Sequence, residues 1–258
     1  MKMRLKRLIK RILPDSLEIK FRQIFYFLRG QWYRGGNHQC PCCETPIRRF
    51  LSGGVTVRPN AQCPRCGSLE RHRLLWLYLK QRTDFFNRHK RVLDIAPSYF
   101  MQRKLRRYAH LDYLSVGLDD PWVMTYMDIM AIPLPDNHFD CILCYHVMEH
   151  IADDRQALKE LFRVLKPDGW AILQSPIDMT RETTFEDPRV TTREDRRKLF
   201  GQDDHLRVYG RDYIERLKEA GFFVTPDSFV QQYSDAMIDK FGLMKDEILF
   251  ICKKPFIS

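Results

Sequence analysis

The chain has 258 residues, 44% of them hydrophobic and 12% aromatic, which suits one sizeable core plus a small accessory module and excludes wholesale disorder. No apolar run reaches the ~18–20 residues of a membrane span, and the basic N-terminus lacks the unbroken apolar core and small-residue cleavage site of a secretory signal. Residues 1–110 hold 25 Lys/Arg against 6 Asp/Glu and the remainder 18 against 27, so the net charge of +10 gathers where an anionic partner would be met, either a membrane surface or RNA.

The first segment, "MKMRLKRLIKRIL", sets Leu5, Leu8, Ile9, Ile12 and Leu13 on one helical face and Lys2, Lys6, Arg7, Lys10 and Arg11 on the other, before Pro14. Residues 17–29 repeat the character with Phe21, Ile24, Phe25 and Leu28. Residues 1–34 therefore form a basic amphipathic arm, and two readings stay open: residues 1–30 lie on an anionic membrane surface, or both helices pack on the protein body.

Residues 35–70 carry "CPCC" at 40–43 and "CPRCG" at 63–67. Two Cys-x-x-Cys pairs at this separation have the spacing of a four-thiolate zinc ribbon, with Cys40, Cys43, Cys63 and Cys66 as ligands and Cys42 as the extra thiol. A closed four-thiolate site leaves no open coordination position, so Zn2+ is expected as structure and not as chemistry. Clustered thiols of this kind belong to a reducing compartment, so the expected location is the cytoplasm, with the arm placing the protein at the inner membrane face. Residues 71–89 then read as a linking helix with Leu74, Leu75, Leu77, Tyr78 and Leu79 in helical register. Arg71, His72 and Arg73 at its start are either an anion site or a solvated helix end.

From residue 90 to 258 strands and helices alternate, the signature of a mostly parallel sheet covered by helices. "RVLDIA" is the first strand, 99–109 a basic helix, "DYLSVGLD" the second strand and "HFDCILCYHV" a buried third. Cys141 and Cys144, three apart on a strand, point to opposite faces and cannot share a metal. "DDRQALKELFRVLK" is a helix with Asp153 and Gln156 as its capping pair, "PDGW" turns the chain, and "WAILQSP" is the next strand. "RDYIERLKEAG" is a helix ended by Gly221, and "FFVTPDSFV" and "EILFICKK" are the closing strands. Ligands of such sheets bind beyond the carboxyl ends of the strands. Polar residues stand there in order: Asp94, Ile95 and Ala96 in the first turn, Asp119 after the second strand, then Asp128 with Ile129, then Tyr145, His146, Glu149 and His150. An acid in the place of Asp119 can accept bonds from both hydroxyls of a ribose.

The run "VLDIA…VGLD…MDIMAIPLPDNHFDCILCYHVMEHI…LFRVLKPDGWAILQSP…YIERLKEAGF" resembles the class I S-adenosylmethionine-dependent methyltransferases over roughly residues 90–253. The resemblance implies a Rossmann-like α/β fold with a seven-stranded sheet whose last strand is antiparallel. It also implies that Asp119 holds the ribose hydroxyls and that Asp128 and Ile129 meet the adenine. The whole chain is similar to bacterial proteins of uncharacterised substrate that join a "CPxC…CPRCGSLERHR" ribbon to such a domain. One departure stands out: the family's glycine-rich turn reads "DIAPS" here. S-adenosylmethionine carries no phosphate to press against a helix N-terminus, so the demand for glycine is weaker than in dinucleotide sites. The turn is therefore expected to be altered but usable.

Methyl transfer needs the acceptor aligned and, for a hydroxyl or protonated amine, a proton removed. His146, Glu149 and His205 are the catalytic candidates, His205 lying in the charged insertion that often covers the acceptor in this family. Arg207 and Tyr209 are candidate acceptor contacts, and Glu149 with His150 is alternatively a pair for a divalent ion. The amphipathic arm favours a small or membrane-associated acceptor. The basic ribbon favours RNA, with the zinc-finger ribosomal RNA guanine methyltransferases as an architectural parallel, although "CYHV" stands where an Asn/Asp-Pro-Pro-Tyr/Phe motif would be needed to flip a base for amino methylation. A third reading is a non-catalytic ribbon scaffold on a degenerate methyltransferase fold.

Overall fold

The computed structural model describes residues 15–55 and 57–256, which fall into two compact units. The first comprises Met1–Phe86, Ser98–Met101 and Val230–Glu247, and the second Asn87–Pro97, Gln102–Phe229 and Ile248–Ser258. The helix expected over "MKMRLKRLIKRIL" lies outside the described residues. Among the described residues no helix is long and apolar enough to cross a membrane.

The first unit begins with helix α1 (Asp15–Trp32), followed by two small antiparallel hairpins, β1 (Arg34–Gln39) with β2 (Pro46–Ile47) and β3 (Leu51–Gly53) with β4 (Arg58–Gln62). Helix α2 (Glu70–Arg82) is its core element. Leu74, Leu75, Trp76, Leu77, Tyr78 and Leu79 are all buried, so the helix is enclosed on nearly every side. Its N-terminus is capped by a side chain, the Leu69 N–H donating to His72 Nδ1 at 3.1 Å.

At the start of α2, His72 and Arg73 are buried and do not form a solvated end, while Arg71 is half-buried. Arg73 is fully buried, donates to the carbonyls of Ala61 and Ser68 at 2.9 Å and to that of Gly242, and lies over the Phe50 ring at 4.1 Å. Only a guanidinium has enough donors in fixed directions to satisfy three backbone oxygens at once. Gly242 stands at φ +59, and a Cβ there would meet the Phe50 ring at 2.6 Å, so the close approach of this segment needs glycine.

Helix α1 places one face on the second cysteine turn. Arg29 donates to Pro64 O at 3.0 Å, Cys63 O at 3.3 Å and Gln62 Oε1 at 3.1 Å, and the Tyr26 hydroxyl fills the space beside Gly67. Its other face carries Phe21, Ile24, Phe25, Leu28 and Trp32, which are 55–76% exposed. Of the two readings of this segment, packing holds for the Tyr26–Arg29 face and fails for the large apolar residues.

The second unit is a seven-stranded sheet. Its strands are β5 (Lys90–Ile95), β6 (Leu111–Gly117), β7 (Thr125–Tyr126), β8 (Phe139–Tyr145), β9 (Leu165–Gln174), β12 (Phe223–Asp227) and β13 (Leu249–Lys253). The pair β10 (Phe185–Glu186) and β11 (Arg207–Val208) lies apart from it. The order is β12-β13-β9-β8-β5-β6-β7, parallel throughout except β13, which runs antiparallel to both neighbours. This is the expected Rossmann-like sheet with an antiparallel last strand. Strand order reverses on either side of β5, which marks the ligand-binding end.

Helix α3 (Tyr99–Leu105) is shorter than the expected 99–109. After Leu105 the residues are exposed Arg106 and Arg107, leaving nothing to bury, and the chain tightens into Lys104–Arg107 and Leu105–Tyr108 turns. Helix α4 (Asp154–Val164) starts on the expected cap, Asp153 accepting from the Gln156 N–H at 2.9 Å, while the Gln156 amide turns away to Met130 O. Leu158, Leu161 and Val164 pack into the core with Leu93, Ile142, Leu173 and Phe222. Cys141 and Cys144 are both fully buried, as their strand spacing requires. The insertion folds around α5 (Arg193–Phe200), and α6 (Tyr213–Glu219) ends before Gly221 at φ +106. The remaining helix, α7 (Asp235–Phe241), belongs to the first unit.

Candidate functional site

The two cysteine turns are built alike. In each, the N–H four residues after the first cysteine returns to that cysteine's carbonyl, Glu44 to Cys40 at 2.7 Å and Gly67 to Cys63 at 3.0 Å. In each, the first cysteine's N–H bonds five residues on, to Thr45 O at 3.2 Å and Ser68 O at 2.9 Å. The fourth position is left-handed both times, glycine in one turn and Glu44 at φ 58 in the other. The result brings Sγ of Cys40 to 3.7 Å from Cys66 and Sγ of Cys43 to 3.8 Å from Cys63, all four within 4.8 Å. A tetrahedral ion with ~2.3 Å metal–sulfur bonds sets sulfurs about 3.8 Å apart, so the two short separations match a Zn2+ site and the donor set fits that ion.

Supporting donors are in place as well: the Arg65 N–H reaches Cys63 Sγ at 3.4 Å and Ser68 Oγ lies 3.2 Å from Cys66 Sγ. Burial pushes the Cys66 thiol up and the neighbouring thiols push Cys63 up, while hydrogen bonds from the surrounding thiols hold Cys40 and Cys43 down. Cys42 is not one of the four convergent sulfurs, and its Sγ lies 3.5 Å from His72 O.

At the reversal point of the large sheet the register sets Ile95 beside Val116 on one flank and Cys144 on the other. The next residue, Ala96, adopts φ +46 and donates its N–H to Val116 O at 2.7 Å. "DIAPS" therefore keeps the left-handed turn that glycine would supply, at a cost of about 1–2 kcal/mol for the methyl group. Pro97 accepts from Trp122 Nε1 at 2.8 Å, which pins the loop after β6 to this turn. A Cβ at Gly117 would stand 3.3 Å from Val123 Cγ1, a tight contact that Val123 would have to yield to.

Asp94, one residue before the turn, is buried and accepts from the Tyr113 hydroxyl at 2.8 Å. Burial pushes its pKa up to about 7, against the opposing pull of that hydrogen bond. Asp119 is exposed two residues beyond the end of β6, which stops at Gly117 and not at Asp119 as expected. Asp128 is exposed and accepts from the Met130 N–H at 2.9 Å, while the Ile129 side chain is buried in the core. Tyr145 closes β8, its ring stacked 6.3 Å from that of His146.

His146 is itself left-handed at φ 57, its N–H on Gln174 O at 2.7 Å, and this strained residue swings its ring toward Glu149. His146 Nδ1 stands 3.5 Å from Glu149 Oε1, and His150 Nε2 3.9 Å from the same oxygen. The other carboxylate oxygen accepts from Ser175 Oγ at 3.1 Å. Burial raises the pKa of Glu149, but the adjoining His146 and His150 outweigh it and hold the group below the usual carboxylate range. His205 arrives from the insertion, buried, its ring 4.7 Å from that of His150, with burial and then His150 lowering its pKa. The three catalytic candidates are thus gathered at one place.

Two other expectations do not survive. Arg207 and Tyr209 are buried and committed: Arg207 donates to Met148 O at 2.9 Å, Ala152 O at 3.0 Å and Glu186 Oε2 at 2.9 Å, and Tyr209 donates to Asp154 at 2.7 Å. Arg216 joins the same network on Asp154 and Glu186. These residues hold the insertion, and with it His205, against the segment that carries Glu149, whose carbonyl accepts from the Leu206 N–H at 2.8 Å. The sequence reading missed Ser175 and this network. The signal for Ser175 was its place immediately after β9; the network joins residues dozens of positions apart and left none.

Residues 78–173 match the family described as a methyltransferase domain. Over 135 residues the chain is 31% identical to an uncharacterized 37.1 kDa protein in transposon TN4556 from Streptomyces fradiae, covering 52% of this chain and only 36% of that protein. A 39-residue stretch is 49% identical to the ubiquinone/menaquinone biosynthesis C-methyltransferase UbiE of Serratia proteamaculans, 15% of this chain and 16% of that one. Similar solved structures include the YcgJ protein from Bacillus subtilis (19% identity, TM-score 0.47, covering 72% of this chain and 100% of that one). Another is a methyltransferase from Mesorhizobium loti (14%, TM-score 0.49, covering 69% and 96%). The match to a methyltransferase domain over residues 78–173 falls largely on the sheet-bearing unit, whose strand order is the Rossmann-like one the sequence resemblance implied.

Proposed function

We propose that the chain methylates a small or membrane-associated acceptor, with the His146–Glu149 pair receiving the acceptor's proton. The observation that carries this reading is a buried, ionised Glu149 set against His146 at the carboxyl end of β8, next to the left-handed Ala96 turn. The donor, when bound, supplies an electrophilic methyl carbon on a sulfonium.

Every other requirement falls to the chain. Asp119, exposed past β6, would accept from the ribose hydroxyls, and Asp128 with Ile129 would meet the adenine. The Asp94–Ala96 turn and Tyr145 bound the amino-acid end. Nδ1 of His146 faces Glu149, which leaves Nε2 toward an acceptor hydroxyl or amine; the buried carboxylate stabilises the imidazolium that forms. His205, kept neutral by burial, adds to the wall of that site.

The four thiolates of the ribbon hold Zn2+ as a brace. The exposed Phe21, Ile24, Phe25, Leu28 and Trp32 on α1, following the basic residues of the N-terminus, support an anionic membrane surface as the place where the acceptor is met.

The acceptor class is tested by incubating the zinc-loaded chain with methyl-tritiated donor, phosphatidylglycerol vesicles carrying quinols or lipid-linked sugars, and bulk RNA. Label in the organic phase, lost in His146→Ala, is the expected result; label confined to RNA overturns it.

A further inference from the structure

Glu149, His150 and His205 each place one ligand atom within 4.8 Å of the other two. The orientation of both rings is fixed from behind. His150 Nδ1 faces the Asp204 carbonyl at 3.2 Å, with the Asp204 carboxylate 3.6 Å from the same nitrogen, and His205 Nδ1 faces the Phe200 carbonyl at 3.2 Å. A carbonyl oxygen accepts only, so each Nδ1 carries the proton and each Nε2 keeps its lone pair. This is the arrangement in which metal-binding histidines are found, one nitrogen tied to a backbone oxygen and the other presented to the ion.

Glu149 supplies the independent sign. Its side chain is 2% exposed, and Oε1 makes no hydrogen bond of ordinary geometry, its polar neighbours being His146 Nδ1 at 3.5 Å and His150 Nε2 at 3.9 Å. A buried carboxylate oxygen left in that condition is costly, and a cation at this point removes the cost. The other oxygen is held by Ser175, which fixes the carboxylate's direction. Ligand atoms on an ion at ~2.1 Å stand about 3.4 Å apart, so closing the present separations takes side-chain rotations of no more than about an ångström. His146 and His150, with side chains 27% and 31% exposed, border the cluster.

We infer that Glu149, His150 and His205 bind one divalent cation of the borderline class that accepts imidazole and carboxylate together, Zn2+ or its probe Co2+, with coordination positions left open for water or an acceptor oxygen. The site is separate from the closed four-thiolate centre and differs from it in ligand type and openness. Its existence does not depend on the cofactor reading, because metal uptake is measured without donor or acceptor.

The test is a titration of the full chain, its ribbon already zinc-loaded, with Co2+ under absorption spectroscopy. One further equivalent should bind, giving weak visible bands without the near-ultraviolet thiolate charge-transfer that exchange into the ribbon would produce. His150→Gln, a partly exposed position, and His205→Gln should each weaken that uptake by on the order of a hundredfold, since loss of a ligand exceeds the 10–100-fold typical of its supporting partners. Circular dichroism of both variants verifies that they remain folded. Absence of a second equivalent in the folded wild-type chain, or uptake unchanged in both variants, overturns the assignment.

Discussion

The cysteine centre and the Glu149 cluster each converge several ionisable groups on a few ångströms, and they differ in how the chain assembles them. The four thiols come from two local turns with the same hydrogen-bond pattern, each cysteine pair fixed by its own four- or five-residue loop. Glu149 and His205 are 56 positions apart and meet only because a buried network ties the insertion back. The first centre presents all its donors inward and closes; the second keeps His146 and His150 partly exposed. A closed set built from local turns would brace the fold once it held an ion, and an open set held by tertiary structure could serve chemistry.

The comparison predicts the largest effect at the brace. Cys63→Ser should lose one zinc equivalent per chain, and with it a site whose apparent binding free energy in comparable small domains is about 10–16 kcal/mol. Hydrogen exchange should then rise steeply across β1–β4 while β5, β8 and β9 keep their protection. Uniform exchange across both regions would end the distinction.

The next effect belongs to the network behind the open site. Asp154 accepts from Arg216 and Tyr209, all three buried. Asp154→Ala leaves a buried guanidinium with half its partners and should cost roughly 3–5 kcal/mol in chemical denaturation. A loss below about 1 kcal/mol would mean the insertion is held by something else.

These two predictions also separate what the sequence disclosed from what it concealed. The convergence of Cys40, Cys43, Cys63 and Cys66 was legible because Cys-x-x-Cys is a local code, and the sheet because strand and helix periods alternate without interruption. His146 follows directly on β8 as expected, whereas Asp94 lies within β5 and not in the turn after it, and Asp119 stands two residues beyond the end of β6. Arg73, Arg207 and Tyr209 misled, since an arginine in a polar stretch looks the same whether it faces water or satisfies three buried carbonyls. Nor does any pattern disclose that Ala96 and His146 take left-handed backbone; that follows from hydrogen bonds to Val116 and Gln174, residues distant in the chain.

A pH effect comes third. Asp94 has a folded pKa raised to about 7, against about 3.9 unfolded, so the folded state binds the extra proton between those values. Its contribution to stability is greatest below pH ~4 and falls as pH rises toward 7, by up to a few kcal/mol. Asp94→Asn should remove this slope, making the difference in unfolding free energy between variant and wild type shift in the variant's favour from pH 5 to pH 8. Parallel pH profiles would contradict the burial argument.

The smallest effect tests the strained turn. Ala96→Gly relieves the left-handed methyl group and should raise stability by about 0.5–1 kcal/mol net of glycine's added chain entropy, read as a Tm higher by a few degrees. A lower Tm would show that the turn is not strained.

The central claim is that a turn without glycine still builds a cofactor site. Calorimetric titration of the zinc-loaded chain with S-adenosylhomocysteine, beside Asp119→Ala, tests it most directly. The account predicts micromolar binding by the wild-type chain and loss of about tenfold or more in the variant, the cost of removing a charged acceptor from hydroxyl donors. A folded wild-type chain that binds nothing would contradict it.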